Sequence, residues 1–188
     1  MADRAWRDLP VGVRVVPYSH PDVARLVVEI QQEYVVRYGG EDTTPIHPGE
    51  LHPPDGLFLV AYDGDQPVAM GGWRRHVEAR SGRVPGERAA EIKRMYVVPS
   101  ARGRGFARRV LAALEHTAAA AGCDLMVLET GQAQPEAIAL YRSAGYTDIA
   151  PFGHYTDSEQ SVHLARPLRA SSDHTGEPWA GWSGASSG

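Results

Sequence analysis

The chain has 188 residues, 43% of them hydrophobic, and a formal net charge of −4 at pH 7. That length and apolar fraction suit one domain with one core. The acidic balance, with no basic run longer than Arg74-Arg75 or Arg108-Arg109, argues against a nucleic-acid surface and weakly favours small cationic partners. The single cysteine, Cys123, excludes an internal disulfide. Its place between a helical and a strand pattern reads as a small core residue rather than a catalytic thiol. MADRAWRDLP carries no apolar signal-peptide segment, and no stretch approaches ~18 uninterrupted apolar residues. The protein is therefore expected in the cytoplasm and off the membrane.

Val11–Val16 alternates in strand fashion before Pro17. Ser19 or His20 then caps a helix with Pro21 at its first position, Val23, Leu26, Val27, Ile30 and Tyr34 on one face, and Gly39-Gly40 at its end. Glu41–Asp55 is rich in proline and acid, which favours an irregular and functional loop. Leu57–Tyr62 and Pro67–Trp73, joined through Asp63-Gly64-Asp65, predict a hairpin, with a bulge or close backbone approach at Gly71-Gly72. Glu78–Arg88 reads as a second loop. A strand from Glu91 and a helix from Phe106 follow, then a doubly buried strand at Leu125–Leu128, a helix opened by Pro135 and closed by Gly145, and strands at Tyr146–Ile149 and Gln160–Ala165. Residues 1–169 form the predicted domain. The Ser- and Gly-rich tail, residues 170–188, is expected to be flexible, with Trp179 and Trp182 as docking candidates.

The stretch EIKRMYVVPSARGRGFARRVLAAL, Glu91 to Leu114, carries the chemistry. Its strand ends at Pro99, glycines follow at 103 and 105, and Phe106, Val110, Leu114 and Ala118 then mark one face of a helix. A first helical turn has unpaired N–H groups and the positive end of the macrodipole, and glycine lets an anion approach without a Cβ in the way. The product is a seat for a phosphate. It is not a nucleotide P-loop, since no Lys-Ser or Lys-Thr follows the glycines, and not a dinucleotide fingerprint, since Arg108 occupies the sixth position counted from Gly103.

Arg102-Gly103-Arg104-Gly105-Phe106-Ala107 instead resembles the [QR]-x-x-G-x-[GA] pyrophosphate loop of the GNAT superfamily of N-acetyltransferases. Gln134-Pro135-Glu136-Ala137-Ile138-Ala139-Leu140-Tyr141 through Gly145-Tyr146 looks like its second motif, N-x-x-A-x-x-L-Y-x-x-x-G-[FY], with Gln134 where the family commonly has Asn. The likeness runs from about Gly12 to Leu168. It implies an α/β (α+β) fold with a single mixed sheet of about seven strands, splayed in the middle and flanked by helices. It implies acetyl-CoA as cofactor, with the backbone of Met95, Val97 and Val98 along the pantetheine, residues Arg102, Gly103, Arg104, Gly105, Phe106, Ala107 and Arg108 at the diphosphate, and Gln134 and Tyr141 beside the arm. The acceptor is expected to be a primary amine of a small molecule, no metal is expected, and a homodimer is left open.

Acyl transfer to an amine sets its own requirements. A free alkylamine, with a pKa of about 10.4, is mostly protonated at pH 7, so a base is useful, as are a donor for the oxyanion and an acid for the departing thiolate. Glu91, at the start of the central strand, is the first candidate base, and alternation places it on one face with Lys93, Met95 and Val97 unless a bulge intervenes. Glu129, just beyond a buried strand, is the second. The resemblance implies the Val97 N–H as oxyanion donor and the Tyr141 phenol as acid. Arg74 or Arg75 could pair with a substrate carboxylate, and Glu41–Asp55 would border the acceptor. His47 and His52 lack a ligand spacing for zinc. The competing functions are a non-catalytic CoA-sensing module and a protein or peptide acetyltransferase, which would need an open groove.

Overall fold

The computed structural model describes residues 9–75 and 88–168. β1 (Val13–Val15) leads to α1 (Pro21–Tyr38). His20 is its cap, with Nδ1 accepting the Asp22 N–H at 3.2 Å, and Gly39 ends the helix at φ 77°, a conformation that suits a residue without a Cβ. The acidic, proline-rich loop holds one 3₁₀ turn, Pro48–Leu51. The predicted hairpin is β2 (Gly56–Asp63) and β3 (Gln66–Arg75), and the central strand is β4 (Ala89–Val97). α2 (Phe106–Ala120), β5 (Leu125–Gly131), α3 (Pro135–Ser143), β6 (Thr147–Asp148) and β7 (Ser161–Pro167) complete the chain. β6 is shorter than its sequence pattern because Tyr146 turns inward, with its hydroxyl donating to Glu115 Oε1 at 3.0 Å. Most of the predicted loop Glu78–Arg88, His76 and the tail from residue 169 lie outside the described residues.

Among the described residues the strands make one seven-stranded sheet in the order β1-β2-β3-β4-β5-β7-β6. Every pairing is antiparallel except β4 with β5. α2 covers β3 through Phe106, Val110, Leu111 and Leu114, all buried, at about 1.5–3 kcal/mol for each fully buried large apolar side chain. Trp73 Nε1 donates to Thr117 Oγ1 at 3.0 Å inside that layer, so the indole is buried with its polar atom satisfied.

Two departures from a regular sheet position the site. The parallel ladder between β4 and β5 ends after Ala89↔Leu125, Ala90↔Met126 and Glu91↔Val127, and β4 runs on to Val97 and β5 to Gly131 without pairing to each other. The sheet is therefore split in the middle. The second departure is a bulge. The pairs Gly72↔Lys93 and Met70↔Tyr96 enclose one more residue on β4 than on β3, and Arg94 sits there at φ 56°. Opposite it, a Cβ on Gly71 would lie 2.9 Å from Met95 Cγ and 3.2 Å from Leu114 Cδ1, which is why a glycine stands at this crossing.

Candidate active site

Pro99 ends the pairing of β4, and a 3₁₀ turn at Pro99–Ala101 carries the chain over to α2. Arg102 braces this turn, its Nε donating to the Val97 carbonyl at 3.1 Å and its Nη2 to Glu33 Oε2 at 2.5 Å. Gly103 and Gly105 follow at φ 75° and 82°, and a Cβ at either would meet nothing within 4 Å. From Gly103 to Arg108 no amide makes a hydrogen bond of normal geometry to another described protein group; the first such bond of the helix is from Arg109 to the Gly105 carbonyl, at 3.1 Å. Six backbone donors without partners at a positive helix end suit an anion carrying several oxygens.

This loop forms the rim of a cavity of about 370 Å³ that reaches into the split between Met95, Val97, Phe106, Leu140 and Tyr141. Tyr141 is buried, and burial pushes its phenol up; the hydroxyl lies 3.5 Å from Met95 Sδ. The guanidinium of Arg108 faces Ser143 Oγ at 3.0 Å on the same rim. Two of the expected contact residues have partners within the fold. Arg104 turns its side chain away to Asp63 Oδ2, 2.7 Å distant, leaving only its backbone at the loop. Val98 is spent on the fold, its N–H donating to Val68 O at 2.9 Å and its carbonyl accepting from Ala101 N at 3.0 Å. Because strand groups alternate in direction, the Val97 N–H then points the other way, into the split.

A second cavity, about 280 Å³, shares Gln134 with the first. Thr130 Oγ1 donates to Gln134 Oε1 at 3.1 Å and fixes that amide at the junction. The second chamber is lined on the sheet side by Lys93, Arg94 and Glu129 and on the other by Tyr34 of α1 and by Asp42 and Tyr155 of the loops. Tyr155 ties the far wall together, donating to Asp42 Oδ1 at 3.0 Å and accepting from Thr43 N at 3.2 Å.

The two candidate carboxylates differ in their surroundings. Glu91 is 2% exposed and opens away from this chamber, onto a neighbouring cavity with Arg74 and His154. Arg74 Nε holds one of its oxygens at 2.9 Å and Lys93 Nζ the other at 2.7 Å. Both oxygens of the first candidate base are thus engaged by cations. Glu129 does face the chamber. Burial pushes its carboxyl up to about 6, against the lowering effects of a hydrogen bond from Ser161 Oγ at 2.9 Å and of the Lys93 charge. Arg74 and Arg75 are committed too: Arg74 also pairs with Glu50 Oε2 at 2.7 Å, and Arg75 Nη2 donates to Ala121 O at 2.7 Å. Burial raises the thiol of Cys123, a core position, as its sequence context predicted. Arg94 was missed. Nothing in a strand pattern announces the bulge that delivers it, whereas Asp42 was signalled by its acidic loop.

The model of the acetyltransferase (GNAT) family matches residues 23–146, about two thirds of the chain. This chain belongs to the GNAT acetyltransferase family. An IAA acetyltransferase of Azospirillum brasilense is 36% identical over 146 residues, covering 78% of this chain and 90% of the relative. YjgM, an uncharacterized N-acetyltransferase of Escherichia coli, is 27% identical over 74% of this chain and 83% of its own length. A Klebsiella pneumoniae structure named as a candidate acyl-CoA N-acyltransferase superposes with a TM-score of 0.65 at 26% identity, covering 84% of this chain and 97% of the other. Enzymes of the GNAT family use acetyl-CoA, and the free amides of the loop, together with a cavity running from it into the split, fit a diphosphate joined to a narrow arm. No described helix of this GNAT protein is long and apolar enough to cross a membrane.

Proposed function

We propose that this protein transfers the acetyl group of acetyl-CoA directly to the primary amine of a small molecule, with both bound at once. The observation that carries this is the pair of chambers meeting at Gln134, one leading to the amide cradle and the other walled by Glu129 and closed on its far side by Tyr155 and Asp42. A chamber of about 280 Å³ suits a small acceptor better than a peptide. The Azospirillum relative's name supports a small acceptor as well.

Bound acetyl-CoA supplies an activated thioester. The amides of Gly103–Arg108 would hold its diphosphate, and Gln134 the arm where the chambers join. Glu129 accepts the amine's proton through Oε2, Oε1 being the atom that takes the Ser161 hydroxyl. A carboxyl near 6 is mostly ionised at neutral pH and remains basic enough to share an ammonium proton. The Val97 N–H donates to the carbonyl oxygen as negative charge gathers there. Tyr141, which already sets its hydroxyl against a sulfur, donates to the departing sulfur; the same burial that raises the phenol raises the basicity of a thiolate beside it.

Release of free thiol from acetyl-CoA on addition of amines is the direct assay, and absence of release across a broad amine panel, with acetyl-CoA bound, would contradict the proposal. Tyr141→Phe is expected to lower kcat roughly 10- to 100-fold, the range of one lost catalytic donor. Its KM for acetyl-CoA and its melting temperature should change little, because the thioether of Met95 is a weak acceptor. An unchanged kcat would remove Tyr141 from the chemistry.

A further inference from the structure

Arg94 is, among the described residues, the only non-glycine at positive φ, placed there by the β4 bulge. Its side chain is 7% exposed and forms part of the acceptor-chamber wall. Nη1 lies 3.2 Å from Asp42 Oδ2, yet without hydrogen-bond geometry, and both Nη1 and Nε are buried with no acceptor. Buried donors left unmet are costly and uncommon, and a strained backbone that delivers such a group to a cavity is a feature of binding sites.

The surroundings narrow what completes it. Asp42 is itself anchored, its Oδ1 accepting from the Thr44 amide at 2.8 Å and the Tyr155 hydroxyl at 3.0 Å. It positions the guanidinium. The neighbouring cations Lys93 and Arg74 already have close carboxylate partners. Among the described residues lining the chamber, Arg94 is thus the cation with buried nitrogens that lack an acceptor. A guanidinium offers N–H groups in a planar fork, and the ligand that matches a fork with two oxygens is a carboxylate.

We infer that the acceptor is an α-amino acid or a close analogue, its carboxylate bound by Arg94 and its amine directed to Glu129. This rests on the acyl-transfer reading of the same chamber. Arg94 on β4 and Glu129 on β5, both lining this chamber, suit a ligand that carries both charges. A polyamine would set a second positive charge against Arg94, and an uncharged amine would leave its donors unmet, so both are discriminated against. In the transfer, the N–C bond forms as the C–S bond breaks, the amine's proton leaves through Glu129, and the sulfur departs as the free thiol. The product is an N-acetylamino acid.

The test is calorimetric titration of the CoA-loaded protein with the proteinogenic L-amino acids and their carboxamides, paired with thiol-release assays on the same compounds. At least one acid is expected to bind roughly 10- to 100-fold tighter than its carboxamide, the worth of a hydrogen-bonded charge. Arg94→Gln should erase that difference and Arg94→Lys should keep part of it, while both variants still bind CoA, which shows them folded. The inference is overturned if no acid binds the wild-type protein, if acid and carboxamide bind alike, or if the preference survives Arg94→Gln. Arg94-dependent binding without thiol release would uphold the carboxylate site and sink the acyl-transfer reading; turnover of amines regardless of a carboxylate would do the reverse.

Discussion

Glu129→Gln is expected to lower kcat by roughly 10²- to 10⁴-fold, the range that general bases contribute, with the Kd for acetyl-CoA unchanged. The group sits in the acceptor chamber rather than in the cofactor cavity. In the wild-type protein kcat/KM should fall as pH drops through about 6, where the carboxyl takes up its proton, and the variant should lack that limb. Stability should move the other way. Folding raises this carboxyl from 4.5 to about 6, so the folded state binds the proton more readily than the unfolded chain. The charged group therefore costs the fold about 1 kcal/mol above that pH, once the part screened by solvent is discounted, and nothing below about 4.5. Glu129→Gln should melt higher than wild type at about pH 8 and alike at about pH 4. Glu91→Gln serves as the contrast. Leaving Lys93 without its carboxylate, and Arg74 with Glu50 alone, beside a buried position should cost about 3 kcal/mol, and the acid limb of the pH profile should persist. Loss of that limb in the Glu91 variant, with the Glu129 variant retaining it, would restore Glu91 as the base.

Gly105→Val is expected to weaken CoA binding by roughly 10²-fold or more, since it would displace at least two charge-assisted hydrogen bonds worth about 1.5–3 kcal/mol each. Gly105 is at φ 82°, where a side chain costs the backbone about 1–2 kcal/mol, but a Cβ there meets no protein atom within 4 Å. The fold should survive while the approach of a phosphate is blocked. Arg104→Ala should leave CoA affinity unaltered, because its side chain serves Asp63. Equal losses in the two variants, measured by CoA titration, would mean that charge around the loop matters and the amide cradle does not.

What the sequence conveyed and what it withheld have separate physical causes. Phe106, Val110 and Leu114 announced α2 because its buried face repeats at helical spacing, and Pro99, Gly103 and Gly105 announced the turn because each carries a backbone constraint. The hairpin was equally legible from Asp63-Gly64-Asp65 between two apolar runs. Charge partners were not. Whether Glu91 meets substrate or Arg74 depends on register across β3 and β4, in which Arg74 stands opposite Glu91, and a single chain pattern does not contain that register. The same holds for Arg94, whose delivery to the chamber depends on one extra residue in β4. For Arg104 the motif reports its backbone, while its side chain follows a carboxylate within reach.

Backbone amide exchange at Gly103–Arg108, followed with CoA and separately with pantetheine, tests the account most directly. CoA is expected to slow exchange across this segment markedly, and pantetheine, which lacks the diphosphate, to leave it near the ligand-free rate. If CoA binds and those amides exchange as before, the diphosphate lies elsewhere and the account is contradicted.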